Sequence, residues 1–220
     1  MSDETPYNPL DKINLGKSVA EALLDRPAYP LADLPSFNGA GIYVIYYTGN
    51  FGPYAPIGKE NAEELRWPIY IGKAVPSGAR RGLATAGNRP YVHGRLAEHR
   101  ESIASAEGQA SIAGVENLKV EDFKVRYLIV DDIWIPLGES LLISTFKPVW
   151  NGMLDGFGNH DPGSGRYNGL RPLWDVMHPG RGWAMRCQER PETVPEIEGR
   201  IADFLERNAP PRSAHMKFTP

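Results

Sequence analysis

Between residues 40 and 148 the hydrophobic positions change period repeatedly, and each change marks an element. Ala40 to Tyr47 is an unbroken β-branched and aromatic run between Gly39 and Gly49, the pattern of a buried strand. Pro68 to Lys73 reads as a second strand. The Gly- and Pro-bearing gap between them is too long for a tight hairpin turn and reads as an insertion. Residues 74–91 form a loop with Gly78, Gly82, Gly87 and Pro90, and Val92 to Ala106, broken only by Gly94, predicts a helix. From Phe123 to Val130 the residues Phe123, Val125, Tyr127 and Ile129 alternate with Lys124, Arg126, Leu128 and Val130, a third strand. Leu137 to Lys147 predicts a second helix, closed by Pro148. The order β, β, α, β, α describes a small sheet flanked by helices, an α/β (α+β) fold.

The flanks differ in character. Residues 1–37 read as an arm with one helix, on which Val19, Leu23 and Leu24 share a face and which Pro27 and Pro30 stop. Beyond Asn151 the chain turns glycine-rich, with Gly152, Gly156, Gly158, Gly163 and Gly165, then a Pro-Gly-Arg-Gly turn at 179–182. An amphipathic helix over Glu196 to Glu206 follows. These changes divide the chain into an arm (1–37), a core (38–151) and a C-terminal extension (152–220).

Composition narrows the class. With 41% hydrophobic and 23% charged residues in 220, the chain has material for a core and is not globally disordered. Its 23 glycines and 20 prolines are well above the average of about 12% for the pair, so turns and loops are abundant. One cysteine, Cys187, excludes an intramolecular disulfide and a cysteine-based zinc site. The acidic start Met1-Ser2-Asp3-Glu4 lacks the pattern of a secretory signal, and no apolar run is long enough to span a membrane, so a cytoplasmic protein is expected. The formal net charge of −3 does not by itself suggest a polyanion partner. Its distribution does: Arg66, Lys73, Arg80, Arg81, Arg89, Arg95 and Arg100 face one acid, Glu98, within the same stretch. Such a run is either a phosphate-facing surface or a solvated, salt-bridged face.

Several residues in these elements carry chemistry. If the first two strands pair, Tyr43 and Tyr70 lie side by side on one sheet face, where Gly41 and Gly72 permit close approach. Arg95 and His99, four apart, project from one helix face. Glu139 heads the apolar stripe Leu142, Ile143, Phe146. A carboxylate there needs a cationic partner or a metal, because isolated burial is costly. Asn151 is either a turn residue or an amide aimed at a ligand.

Taken together, Gly-Ile-Tyr (41–43), Tyr-Ile-Gly-Lys (70–73), Arg95 with His99, Glu139 and Asn151 resemble the GIY-YIG nuclease superfamily in order and spacing. The flanking stretches are similar to one branch, the stand-alone type II restriction endonucleases that cut a short GC-only palindrome. They include Lys-Pro-Val-Trp-Asn (147–151), Asp-Gly-Phe-Gly-Asn-His (155–160), Pro-Gly-Ser-Gly-Arg (162–166) and Trp-Asp-Val-Met-His-Pro-Gly-Arg (174–181). The resemblance implies a core with a three-stranded, mainly antiparallel sheet and phosphodiester hydrolysis in double-stranded DNA at a CCGCGG-type site. It also implies a homodimer and a cognate DNA methyltransferase as genetic partner. A structure-selective repair or homing nuclease and a non-catalytic DNA-binding module are the alternatives.

Among the site residues, the resemblance makes Tyr43 the candidate general base, a role that fits only if its pKa of about 10 is lowered. His99 would accept or relay its proton, and Arg95 and Tyr70 would contact the scissile phosphate. Asn151 would orient the phosphate or its neighbours, and Lys73 would meet the DNA backbone. A single carboxylate in the pattern points to one divalent ion, Mg²⁺, on Glu139. Arg80, Arg81 and Arg166 are candidates for guanine edges or phosphates, and Asn159 and His160 for DNA contacts or turn stabilisation. Trp150, Phe157, Trp174 and Trp183 are candidates for either core packing or dimer contact.

Overall fold

The structure, a computed structural model, describes residues 7–76, 89–107, 117–163 and 165–209. Four antiparallel strands form one sheet in the order β1 (Tyr29–Pro30), β4 (Phe123–Ile129), β2 (Gly41–Tyr47), β3 (Pro68–Ala74). All seven residues of β2 are buried, as its uninterrupted apolar run requires of a strand covered on both faces. The sheet has four strands where three are expected. The addition is β1, in the N-terminal arm, which pairs Tyr29 with Val125 and Pro30 with Lys124. Two residues have no period to read, and proline is tolerated there because the strand is at an edge.

Alternation along β2 sorts the core into two layers. Tyr43, Ile45 and Tyr47 point to one face, where they join Leu96 and Ile103 of α3 (Tyr91–Glu107) and Ile197, Ile201 and Leu205 of α7 (Val194–Arg207). Trp150, Phe157 and Trp174 are buried in this same layer, which assigns them to core packing, whereas Trp183 is half-buried. On the other face Ile42, Val44 and Tyr46 pack with Leu23 and Leu24 of α1 (Lys12–Leu24) and Leu142 and Phe146 of α4 (Ile135–Phe146). Helix α4 ends at Lys147, which takes a left-handed φ of 44° ahead of Pro148.

The insertion between β2 and β3 holds a short helix, α2 (Ala55–Glu60). Asn61 closes it: its amide donates to the carbonyls of Tyr47 and Trp67 and accepts from the N–H groups of Arg66 and Trp67. A further short helix, α5 (Val149–Gly152), follows α4, and α6 (Leu173–Met177) lies in the C-terminal extension. No helix among the described residues is long and apolar enough to cross a membrane.

A buried polar chain crosses the first layer. The Asn117 Oδ1 accepts from the Leu118 N–H and from His178 Nδ1 at 2.8 Å, which leaves His178 Nε2 to accept from the Tyr54 hydroxyl at 2.8 Å. Burial, with the nearby Arg181 charge, pushes the His178 pKa down to about 3. The folded protein thus keeps this imidazole neutral, whereas the unfolded chain protonates it near 6.5. Stability should fall as pH drops from about 6.5 towards 3, by at most about 1.4 kcal/mol per unit for this one group. Denaturant unfolding at pH 7 and pH 4.5 checks this. A His178→Gln variant with an undiminished pH slope would contradict it.

Candidate active site

Tyr43 of β2 lies opposite Gly72 of β3, and Tyr70 lies opposite Ile45. The two tyrosines are therefore diagonal neighbours on one face, with ring centroids 6.4 Å apart. Glycine at 72 is a steric requirement: a Cβ there would come within 2.4 Å of the Tyr43 hydroxyl oxygen. That space lets the Tyr43 hydroxyl reach His99 Nε2 at 2.7 Å. Gly72→Ala should therefore displace the Tyr43 ring, at about 1–3 kcal/mol of overpacking. A denaturant midpoint unchanged from wild type in that variant would show that the space at Gly72 is not required.

Both members of the pair are held neutral. Burial pushes the His99 pKa well down, and the Arg95 charge adds to this. Burial pushes the Tyr43 phenol well up; the charges of Tyr70 and Glu139 oppose its ionisation and only Arg95 favours it. The condition attached to a tyrosine base, a lowered pKa, is not met by the surrounding protein groups. A neutral phenol donating to a neutral imidazole is the arrangement that results. His99 is fixed in turn by Phe157, whose ring stacks on it at 4.5 Å and 14°.

Arg95, one turn before His99 on α3, stands on the same side. Its Nη1 donates to Glu98 Oε2 and to His160 Nε2, each at 2.6 Å, and its Nη2 donates to the Gly158 carbonyl. The loop at 156–160 thus lies directly on Arg95 and Tyr70. A Cβ on Gly158 would be 2.7 Å from the Tyr70 hydroxyl.

Glu139 approaches from the opposite face of the sheet, around the β3 edge. Its Oε2 accepts from Lys73 Nζ at 2.6 Å. The pair is partly exposed, 42% for the lysine side chain and 16% for the carboxylate. An ammonium already stands at this carboxylate, so the position accepts a cation. No group of three or more metal-ligating side chains exists among the described residues. A hard divalent ion held through one carboxylate, with water and phosphate oxygens completing its shell, suits that donor set. Mg²⁺ on Glu139 therefore fits the residues present.

Asn151, in α5, has a different partner from either alternative in the sequence reading. Its Oδ1 accepts from the Ile71 N–H and its Nδ2 donates to the Ile71 carbonyl, both at 2.8 Å. Asn151 thereby fixes the backbone of β3 between Tyr70 and Gly72.

The remaining candidates are dispersed. Asn159 and His160 line a cleft of about 320 Å³ beside Arg95 and His99, and Arg166 is exposed on the adjoining loop. Arg80 and Arg81 lie outside the described residues. Of the basic run, Arg66 pairs with Glu60, Lys73 with Glu139 and Arg95 with Glu98.

Arg181 and Asp175 were not among the sequence candidates, yet they shape the site. Arg181 is buried between Trp174 and Trp183, with its guanidinium carbon 4.7 and 4.8 Å from their ring centroids. It donates to both Asp175 oxygens, at 2.7 and 2.5 Å, and to the carbonyls of Gly156, Phe157 and Asn159. All five N–H groups of the guanidinium are thereby used. Burial pushes the Asp175 carboxyl up and Arg181 pulls it back, and the two-point contact matches a carboxylate. The only sequence signal was their place in the 174–181 stretch.

Comparison with curated proteins gives no match. A family model described as the Eco29kI GIY-YIG domain matches residues 35–205. That span takes in both tyrosine strands, the Arg95–His99 helix, Glu139, Asn151 and the Arg181-bound loop. The chain belongs to the Eco29kI GIY-YIG family, a type II restriction endonuclease family of GIY-YIG nucleases.

Proposed function

We propose that the protein is a type II restriction endonuclease that hydrolyses double-stranded DNA at a short GC-rich palindrome of the CCGCGG type. On this reading it uses one Mg²⁺ ion per active site, acts as a homodimer and is accompanied by a cognate methyltransferase. The observation that carries the reading is the Tyr43–His99 hydrogen bond, set beside Arg95 and Tyr70, with Glu139 close enough for its charge to act on both tyrosines.

Phosphodiester hydrolysis needs an activated water and neutralisation of the charge that builds on the phosphate. When bound at Glu139, the metal ion would supply charge stabilisation at the phosphate and the leaving oxygen. The protein groups divide the rest. On this reading Tyr43 takes a proton from the attacking water as its own proton passes to His99 Nε2, so neither group has to persist as an ion before attack. Arg95 supplies a planar, permanently charged donor for phosphate oxygens. Tyr70 adds a hydroxyl beside it. Lys73 exchanges its Glu139 contact for the DNA backbone. Asn159 and Arg166 would contact DNA from the loops that carry them. A two-fold dimer suits a palindrome, each protomer cutting one strand.

Incubating the protein with plasmid DNA and Mg²⁺, then sequencing the ends, tests the reading. Cleavage at one GC palindrome is expected. Cuts confined to branched or flapped DNA would support the repair-type alternative, and binding without cleavage the non-catalytic one. Tyr43→Phe removes one buried hydroxyl and should cost about 10² to 10⁴ in single-turnover rate while the fold persists. An unchanged rate across pH would remove Tyr43 from the proton path.

A further inference from the structure

Arg95 is held mainly by a loop of the C-terminal extension, not by its own helix. Within α3 its partner is Glu98; from the extension come the Gly158 carbonyl and the His160 imidazole. The loop is a firm support, because Arg181 binds the carbonyls of Gly156, Phe157 and Asn159, the residues on either side of Gly158. His160 itself is 66% exposed, so its ring makes no contribution to the core. Its Nε2 accepts from Arg95, which means that this nitrogen carries no proton and the ring faces Arg95 as an acceptor. An imidazole nitrogen at 2.6 Å from one guanidinium nitrogen, with a carbonyl on the other, sets both the position and the rotation of the planar fork. Three of the five guanidinium N–H groups are taken up in this way, and the rest of the fork lies within reach of the Tyr43 and Tyr70 hydroxyls.

We propose that His160 is a positioning residue for Arg95, which orients the guanidinium towards the scissile phosphate together with the Gly158 carbonyl and does not itself read or grip DNA. The proposal rests on the nuclease reading above. It differs from a direct DNA contact in what it predicts, because a phosphate contact shows in affinity and salt dependence, whereas orientation of a catalytic cation shows in rate.

The experiment compares single-turnover cleavage of a cognate duplex in Mg²⁺ with duplex binding in Ca²⁺, for wild type, His160→Ala and His160→Gln. The exposure of His160 keeps folding out of the comparison. His160→Ala should lose at least about tenfold in rate, with the dissociation constant and its salt slope unchanged within about twofold. His160→Gln should recover most of that loss, because a glutamine carbonyl can accept from Arg95 in the same way. In an Arg95→Lys background, His160→Ala should add less than about twofold, since a residue acting through Arg95 has nothing left to orient. Weakened binding with a shallower salt slope, equal losses in both backgrounds, no rescue by glutamine, or an unchanged rate would each overturn the proposal. Failure of the wild type to cut any duplex would instead overturn the nuclease reading, and the proposal with it.

Discussion

Glu139→Gln should reduce Mg²⁺-dependent cleavage by about 10³-fold or more while leaving the fold and DNA binding in place. The expectation follows from two unequal roles for one carboxylate. As the partner of Lys73 it contributes little to stability, because the pair is partly exposed and such pairs are worth about 0–1 kcal/mol. As the proposed anchor for a divalent ion it accounts for several kcal/mol of transition-state stabilisation, and each 1.36 kcal/mol is tenfold in rate. Glutamine keeps the shape and removes the charge. A thermal midpoint within a few degrees of wild type beside a near-complete loss of single-turnover cleavage is the predicted combination. Cleavage within about tenfold of wild type would leave Glu139 as a structural ion pair alone. Lys73→Met provides the control for the thermal midpoint alone, since a purely structural pair would lose similar stability on removal of either member.

The second large effect belongs to Arg181. Arg181→Met leaves the Asp175 carboxylate buried without its cation and three loop carbonyls without their donors. Breaking a buried pair from one side costs about 3–5 kcal/mol. At about 2–4 °C per kcal/mol for a chain of this size, the thermal midpoint should drop by about 10 °C. A double variant, Arg181→Met with Asp175→Leu, separates the two consequences. Replacing both members by apolar groups should regain much of the stability, because well-packed substitutes for buried pairs are often neutral or better. Cleavage should stay low, since the carbonyls of Gly156, Phe157 and Asn159 then lack the guanidinium that ties them together next to Arg95. A single variant that melts within about 2 °C of wild type would show that the five hydrogen bonds do not carry the predicted weight.

How much of this was legible in the sequence depended on the range of the contacts involved. Strands β2, β3 and β4 and helices α3, α4 and α7 follow from local periodicity, and their observed bounds differ from the expected ones by one or two residues. Arg95 and His99 share a face because helix geometry dictates it, and Glu139 announced a cationic partner or a metal because it heads an apolar stripe. What could not be read was long-range pairing. Nothing in the spacing tells that Asn151 bonds to Ile71, or that Lys73 is the cation at Glu139. The Arg181–Asp175 pair sits in a Gly- and Pro-rich region without a hydrophobic period, and its partners are backbone carbonyls, which carry no sequence identity. Burial of Trp150, Phe157 and Trp174 was equally hidden, because an aromatic outside any hydrophobic period looks the same whether it faces a core or a second subunit. The Tyr43 pKa required the actual surroundings: burial outweighs the Arg95 charge.

The bond between Asn151 and Ile71 also bears on how two copies can meet. Strand β3 is the outer member of the sheet, and an unpaired outer strand is a template for another chain. Here the N–H and carbonyl of Ile71, at the middle of β3, are both satisfied by the Asn151 amide. At the opposite margin β1 is two residues long and contains Pro30, too short to seed a pairing. The middle of β3 is thus closed to strand addition, while β1 covers only the Lys124–Val125 stretch of β4 at the other margin. The homodimer proposed above would therefore make its contacts away from the middle of β3.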